Sequence, residues 1–239
     1  MKVCCFDLDG TLLPMDTESF IREYINALSL YMGDIFPSDQ LLPLIWDATK
    51  TMIENQDETL TNEQVFQQRF LSLSGMKKEE IWPHFDKFYR EQFPTLKKYI
   101  QPSPISRQII QAALDRGYRV AVATNPVFPR MAILERMRWA QVEDLVEWVS
   151  VYEESYLCKP NPGYFLEVAQ KMEVSPEDCV MIGNDVQEDL VAGTVGMKTY
   201  LVTDCLIDRG NPVYKPDQSG SLEQLYKDIQ EGNGMFLHS

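Results

Sequence analysis

A chain of 239 residues has room for one large domain or two modest ones, and its 44% hydrophobic and 24% charged residues are typical of a globular protein. Its net charge of −14 argues against nucleic-acid binding, which depends on Lys and Arg neutralising phosphates. No apolar run approaches the roughly 20 residues of a membrane span. We therefore expect neither nucleic acid nor a membrane as a partner.

The five cysteines are scattered along the chain, and none forms a Cys-x-x-Cys pair. Their odd number and spacing argue against a disulfide framework or a zinc site and favour reduced, partly buried residues. Met1 and Lys2 lead directly into the first apolar run, so we expect no signal peptide. These features predict a soluble, cytoplasmic protein.

The first element is a short apolar run at residues 2–6, which ends at Asp7-Leu8-Asp9-Gly10-Thr11. The run predicts a buried strand, although a buried helical turn has a similar pattern. In an extended chain Asp7 and Asp9 point the same way, and a cation such as Mg²⁺ would relieve their repulsion. One carboxylate could then act as nucleophile and the other as general acid and base. The alternative is a strand end followed by a common Asp-Gly turn.

Residues 16–98 have the apolar spacing of helices. Helices are predicted from Ser19 to Leu30, from Leu41 to Ile53, and from Asn62 to Leu73. The last two are the clearest, and Thr61 is a candidate N-cap of the last. Helix-breaking residues divide this segment into four or five helices. These residues are Gly33, Pro37, Gly75 and Pro83. A helical insertion directly after a catalytic strand suggests a lid over the active face. The alternative is a helical subdomain that does not touch substrate.

From Pro104 onward helices and strands alternate, which predicts a parallel α/β sheet. The predicted strands are Arg119–Ala123, Trp148–Tyr152, Cys179–Ile182 and Met197–Val202. Residues 204–220 are rich in Gly, Pro and Asp and are predicted to form a surface loop. The expected fold is a Rossmann-like three-layer α/β core with an inserted all-helical domain.

Polar residues follow the predicted strands where open α/β sheets place their sites. Thr124 and Asn125 could bind a phosphate oxygen, although such residues also form ordinary strand-to-loop junctions. Lys159 precedes a proline and so lies in extended or loop backbone, where a lone lysine is most often a solvated surface residue. Asp185 and Asp189 are four residues apart and would share a helical face, with helix capping as the alternative reading.

In combination these segments resemble the four motifs of the haloacid dehalogenase-like superfamily of phosphohydrolases. Asp7-Leu8-Asp9-Gly10-Thr11 resembles the first motif, Thr124 the second, Cys158-Lys159-Pro160-Asn161-Pro162 the third, and the stretch from Gly183 to Asp189 the fourth. The resemblance implies a catalytic core of residues 1–14 and 100–239 and a helical cap of residues 15–99. Asn184 departs from the pattern, because it separates the glycine of the fourth motif from its first acid.

The resemblance also implies roles for these residues in a Mg²⁺-dependent phosphatase. Asp7 would attack phosphorus to form an aspartyl-phosphate, and Asp9 would act as general acid and then general base. Thr11, Thr124, Asn125 and Lys159 would bind or neutralise the phosphoryl group. Asp7, Asp9 through its carbonyl oxygen, and Asp185 would bind Mg²⁺, while Asp189 would either bind the metal or hold Lys159.

Two alternatives remain beside a phosphatase that acts on small phosphorylated metabolites. A phosphomutase of the same superfamily usually carries an apolar residue at the position of Thr11. A non-catalytic phosphate-binding or scaffold protein would be marked by loss of Asp7, Asp9 or Lys159, and all three are present. The sequence leaves the physiological substrate and the oligomeric state open.

Overall fold

The computed structural model describes residues 2–37 and 39–237. Within these residues, six strands form one parallel sheet in the order β3-β2-β1-β4-β5-β6. The strands are β1 (Val3–Phe6), β2 (Arg119–Val122), β3 (Trp148–Val149), β4 (Cys179–Gly183), β5 (Lys198–Val202) and β6 (Gln218–Gly220).

Helices cover the sheet and form the insertion that follows β1. The α-helices are α1 (Thr17–Tyr31), α2 (Leu41–Ile53), α3 (Asn62–Ser74), α4 (Lys78–Glu91), α5 (Pro104–Asp115), α6 (Arg130–Trp139), α7 (Pro162–Lys171) and α8 (Leu222–Glu231). Short 3-10 segments lie at Phe93–Tyr99, Glu143–Leu145, Pro176–Asp178, Leu190–Val195 and Gly234–Phe236. The expected Rossmann-like α/β fold with an inserted helical domain is confirmed.

Strand β1 lies near the middle of the sheet and is buried along its whole length. Its last residue, Phe6, is level with Val122 of β2 and Ile182 of β4. Because the three strands are parallel and end together, the residues that follow them meet at one edge of the sheet. That edge carries the polar residues singled out from the sequence.

The helical insertion packs against the α/β core through aromatic side chains. Phe20 of α1 meets Trp139 of α6 edge to face, with ring centroids 6.1 Å apart. Phe93 stacks on the same indole at 5.6 Å, and Tyr24 contacts Phe128 at 5.3 Å. Such pairs favour burial beyond the simple loss of apolar surface. The insertion and the core therefore share one hydrophobic cluster.

Local sequence signals account for most helix boundaries. Thr61 caps α3 in a reciprocal arrangement with Gln64, as its N-cap assignment predicted. Gly75 ends the same helix with φ of 68°. Pro83, expected to break a helix, instead lies inside α4. Pro83 is exposed and removes one hydrogen bond from the helix, and burial of Ile81, Trp82, Phe85 and Phe88 holds the helix together.

Two strand predictions also needed correction. The predicted strand from Trp148 to Tyr152 is a strand only at Trp148 and Val149, after which the chain turns. The predicted loop of residues 204–220 ends in β6, a three-residue edge strand beside β5. Its sequence, Gln218-Ser219-Gly220, lacks the apolar alternation of a strand because an edge strand needs little of it.

In the described part of the chain, no helix is long and apolar enough to cross a membrane.

Candidate active site

The first two candidate carboxylates follow β1 directly. The backbone N–H of Asp7 donates to the carbonyl oxygen of Ile182 at 2.8 Å, so Asp7 is fixed at the end of the β1–β4 ladder. Gly10 then turns the chain with φ of +88°, and a side chain there would clash with Asn184. A glycine is required at this position for both reasons. The turn leaves Asp7 and Asp9 at the same edge of the sheet.

Lys159 lies directly behind Asp7. Its Nζ donates to Oδ1 of Asp7 at 2.8 Å and to Oδ1 of Asp189 at 2.6 Å, and its side chain is only 1% exposed. Burial alone would lower the pKa of Lys159, but the carboxylates of Asp189 and Asp7 outweigh it and raise this pKa well above its usual value. Lys159 is therefore a buried cation that joins two carboxylates.

Asp189 and Asp185 occupy the loop after β4. Oδ2 of Asp189 accepts the backbone N–H of Asp185 at 2.9 Å, while its Oδ1 accepts from Lys159. A side chain at Gly183 would clash with the Asp189 carboxylate, so the glycine leaves room for this contact. Oδ1 of Asp185 accepts the N–H groups of Gln187 and Glu188, each at 3.0 Å. The structure thus gives Asp189 the contact with Lys159 that was one of its two expected roles.

Asp9 is paired with a residue that the motifs do not contain. Its Oδ2 accepts from Nη1 of Arg136, a residue of α6 that is 1% exposed and whose guanidinium lies 4.5 Å from the centre of the Phe128 ring. The Oδ1 atom of Asp9 is buried and has no hydrogen-bond partner among the described residues. Burial raises the pKa of Asp9, although Arg136 opposes the rise.

Of the residues expected to bind phosphate, some line the cavity that contains Asp7 and one does not. Thr124 and Asn125 line the same cavity as Asp7. The carbonyl oxygen of Thr124 accepts from the hydroxyls of Ser150 at 2.6 Å and Tyr164 at 2.8 Å, which fixes the backbone at this strand end. Thr11 is not among the lining residues: it is fully buried, and its hydroxyl donates to Oδ1 of Asn184 at 2.9 Å.

A cavity of about 310 Å³ lies between the sheet edge and the helical insertion. We call its polar side the floor, which consists of Asp7, Asp9, Thr124, Asn125, Asn184, Asp185, Glu188 and Asp189. We call its helical side the roof, which consists of Thr17, Ile21, Tyr24, Ile25, Ile45, Trp46, Thr49 and Ile53. Val127, Phe128, Ile207 and Arg209 complete the lining. The volume suits a small molecule.

The floor has the chemistry of a magnesium site. Its ligands would be carboxylate and carbonyl oxygens, which Mg²⁺ prefers. Burial raises the pKa of Asp7 and raises that of Glu188 to about 6, Lys159 opposes both rises, and neighbouring carboxylates add to them. Among the described residues no three acidic, His or Cys side chains already form a metal cluster. The expected set of two carboxylates and one backbone carbonyl does not require three such side chains.

Two cations and one acid of the site were not found from the sequence. Nη1 of Arg209, in the loop after β5, donates to Oδ1 of Asp185 at 2.7 Å. Glu188 accepts from Nδ2 of Asn125 at 3.2 Å, and Arg136 holds Asp9. Only Arg136 carried a usable signal, because it falls on the apolar face of α6 together with Ala132, Ile133, Met137 and Ala140. A charge at a core position calls for a buried partner.

A family model described as haloacid dehalogenase-like hydrolase matches residues 1–195, which is most of the chain. The chain therefore belongs to the haloacid dehalogenase-like hydrolases. A curated relative, the pyrophosphatase PpaX of Bacillus cereus strain Q1, is 24% identical over 89% of this chain and 88% of its own length.

Solved structures share the fold at low sequence identity. A haloacid dehalogenase-like phosphatase from Thermococcus onnurineus is 22% identical, with a TM-score of 0.59 over 98% of this chain and all of its own. The magnesium-bound hydrolase YfnB from Bacillus subtilis is 20% identical, with a TM-score of 0.56 over 95% and 98%. An L-2-haloacid dehalogenase from Xanthobacter autotrophicus is 12% identical, with a TM-score of 0.59 over 96% and 98%. Identities this low support the fold, while the chemistry must be argued from the site.

Proposed function

We propose that this chain is a Mg²⁺-dependent phosphatase that hydrolyses small phosphate monoesters through an aspartyl-phosphate on Asp7. One observation carries the proposal: Asp7, a buried cation against it and a second carboxylate, Asp9, stand together at a cavity between the sheet edge and the helical insertion. The family resemblance implies that dehalogenases lack the second acid, so Asp9 favours phosphate ester chemistry.

The first step is attack on phosphorus by Asp7. Lys159 contacts Oδ1, which leaves Oδ2 as the attacking oxygen. As the new O–P bond forms, the bond from phosphorus to the leaving oxygen breaks, and Asp9 donates a proton to that oxygen. In the second step Asp9 takes a proton from water and the water oxygen attacks phosphorus. The bond between phosphorus and Oδ2 of Asp7 breaks, which frees the Asp7 carboxylate and releases inorganic phosphate.

The surrounding residues hold this arrangement in place. The charge on Lys159 offsets that of Asp7, and Asp189 orients the ammonium group from its other side. The hydroxyl of Thr124 and the amide of Asn125 are assigned to the phosphoryl oxygens. Preorganised donors of this kind stabilise the charge that develops in the transition state.

The metal would be held by Asp7, Asp185 and the backbone carbonyl of Asp9. When bound, Mg²⁺ supplies positive charge that neutralises the phosphoryl oxygens and the floor carboxylates. Arg209 now pairs with Asp185, and it would exchange this contact for one with the phosphate or with Glu188, which lies 3.9 Å away. We further propose that residues 15–99 act as a cap on a core of residues 1–14 and 100–239.

Pyrophosphate hydrolysis is the second candidate, and the likeness to a protein named as a pyrophosphatase favours it. The same two carboxylates could perform it, since attack on either phosphorus atom breaks a P–O bond. The two candidates differ only in the leaving group, which one assay can compare.

Release of inorganic phosphate from a panel of small monoesters and pyrophosphate tests the proposal. We expect turnover with Mg²⁺, none with excess EDTA, and recovery when Mg²⁺ is restored. Asp7→Asn should abolish turnover, by about 10⁴-fold or more, because it removes the nucleophile. Asp34→Asn, at an exposed turn of the insertion, is the matched control and should keep full activity. Turnover that survives in Asp7→Asn would overturn the proposal.

A further inference from the structure

The roof of the cavity is mostly apolar. On α1, Ile21, Tyr24 and Ile25 fall at the spacing of one helical face, and they line the cavity together with Thr17. On α2, Ile45, Trp46 and Ile53 do the same, together with Thr49. Two helices of the insertion therefore turn apolar faces toward the floor carboxylates.

The polar atoms of the roof are few or already engaged. The hydroxyl of Tyr24 is hydrogen-bonded to that of Tyr89 at 2.8 Å, so Tyr24 presents its ring to the cavity. The other hydroxyls of the roof belong to Thr17 and Thr49. Among the described residues that line the cavity, the insertion contributes no Lys, Arg or His. A leaving group with several hydroxyls would lose its hydrogen bonds to water here without replacing them.

Charge in the cavity disfavours a second anionic group. Five acids line it, Asp7, Asp9, Asp185, Glu188 and Asp189, against the single cation Arg209. The cations behind the floor, Lys159 and Arg136, are already paired with Asp7, Asp189 and Asp9. Bound Mg²⁺ would serve the reacting phosphate. A second phosphate or a carboxylate on the leaving group would therefore add negative charge to a site whose acids already outnumber its cations.

Trp46 places a large, exposed aromatic ring on the roof, where a ligand could pack against it. Trp46 is 54% exposed although it has the largest apolar side chain of α2, and it lines the cavity. Phe128 on the core side adds a second ring, in contact with Tyr24 at 5.3 Å. Large aromatic rings at the rim of a cavity are typical of sites that take apolar ligands.

We propose that the roof selects phosphate monoesters whose alcohol is uncharged and apolar. The inference rests on the proposed phosphatase function and names its substrate class. The reacting phosphate would lie on the floor, and the alcohol would pack against Ile21, Ile25, Trp46 and Phe128. Sugar phosphates, glycerol phosphate and pyrophosphate would then be poor substrates.

Esters with comparable leaving groups provide the test. Benzyl phosphate, glucose 6-phosphate and glycerol 3-phosphate are all esters of primary alcohols, so differences in rate report on binding rather than on the reactivity of the bond. We expect kcat/KM for benzyl phosphate to exceed that for the two polar esters by about tenfold or more. Equal or better hydrolysis of either polar ester, abolished in Asp7→Asn, would overturn the inference and leave the phosphatase proposal standing.

Variants at Trp46 locate the preference. Trp46→Ala should lower kcat/KM for benzyl phosphate about tenfold more than that for glycerol 3-phosphate, mainly through KM. Trp46→Lys adds a cation to the roof and should shift the preference toward pyrophosphate. Tyr99→Ala removes an exposed ring, 48% accessible, that does not line the cavity, and should change neither ratio. An unchanged preference in both Trp46 variants would contradict the assignment.

If no ester is hydrolysed, a binding measurement distinguishes the proposed apolar subsite from the proposed phosphatase activity. Calorimetry with Mg²⁺ would compare benzylphosphonate, which cannot be hydrolysed, with methylphosphonate. We expect benzylphosphonate to bind about tenfold more tightly or better, and to lose this advantage in Trp46→Ala. That result without any turnover would reject the phosphatase proposal and keep the apolar subsite. Equal affinities would reject the subsite.

Discussion

The floor and the roof of the cavity are built by different rules. On the floor, buried charges are held by specific partners: Lys159 joins Asp7 to Asp189, and Arg136 holds Asp9. The roof consists mainly of apolar side chains on two helices, and Trp46 remains half exposed. Charged groups at fixed positions can perform one kind of chemistry, whereas apolar surfaces can accept many shapes. We infer that the floor determines the reaction and the roof determines the substrate.

Removing Lys159, the cation behind the floor, should have the largest effect on stability. Lys159→Met leaves Asp7 and Asp189 buried without their shared partner, which should destabilise the fold by about 3–5 kcal/mol. Turnover should fall by about 10²-fold or more, because the charge of the nucleophile is no longer offset. Chemical denaturation and phosphate release measure the two effects.

A second substitution checks the cause of that loss. In Lys159→Met/Asp189→Asn the neutral amide removes one unpaired charge, so part of the lost stability should return while activity stays low. If the double variant is no more stable than Lys159→Met, the Lys159–Asp189 contact is not a stabilising pair.

The loss of activity on substituting Asp9, the second carboxylate, should depend on the leaving group. Asp9→Asn should lower kcat for benzyl phosphate by about 10²–10⁴-fold, because benzyl alcohol needs a proton from a general acid. For phenyl phosphate, the formation of the covalent intermediate should be much less affected, since phenolate leaves without protonation. Single-turnover measurements of alcohol release follow this step. Equal losses for the two esters would contradict the role of Asp9 as general acid.

Arg136 offers a smaller and more local test, with a neighbour as control. Arg136→Met should cost about 1–3 kcal/mol of stability, because it leaves Asp9 without its partner, and the 19% exposure of the Asp9 side chain places the cost below that for Lys159. Arg138→Met, on the same helix but 52% exposed, should cost less than about 1 kcal/mol. Similar costs for the two variants would show that Arg136 acts as an ordinary surface arginine.

The fold and much of the floor could be predicted because they are written in short stretches of chain. Each strand is an apolar run that stops at polar residues, and parallel strands bring those residues to one edge. Asp7, Asp9, Thr124, Asn125, Asp185 and Asp189 were singled out on that basis, and all six line the cavity. Their proposed roles remain predictions until variants are assayed. Thr11 was grouped with them by position in its motif, but its hydroxyl holds Asn184 instead.

The remaining parts depend on tertiary packing that no local pattern reveals. Arg209 reaches Asp185 from a loop 24 residues further along the chain, and Arg136 reaches Asp9 across 127 residues. The amphipathic pattern of α2 predicts an apolar face but does not predict that Trp46 lines a cavity. Strand β6 was not predicted because its polar sequence is typical of a loop. The prediction that Pro83 breaks a helix was wrong because packing outweighs one lost hydrogen bond.

Trapping of the phosphoenzyme tests the central claim most directly. In Asp9→Asn, phenyl phosphate should still react with Asp7, but the intermediate should persist because the base that activates water is missing. Rapid quenching with acid followed by mass spectrometry of the peptides should find one phosphoryl group, attached to Asp7. A phosphoryl group on another residue, or turnover with no covalent intermediate at any time, would contradict the account.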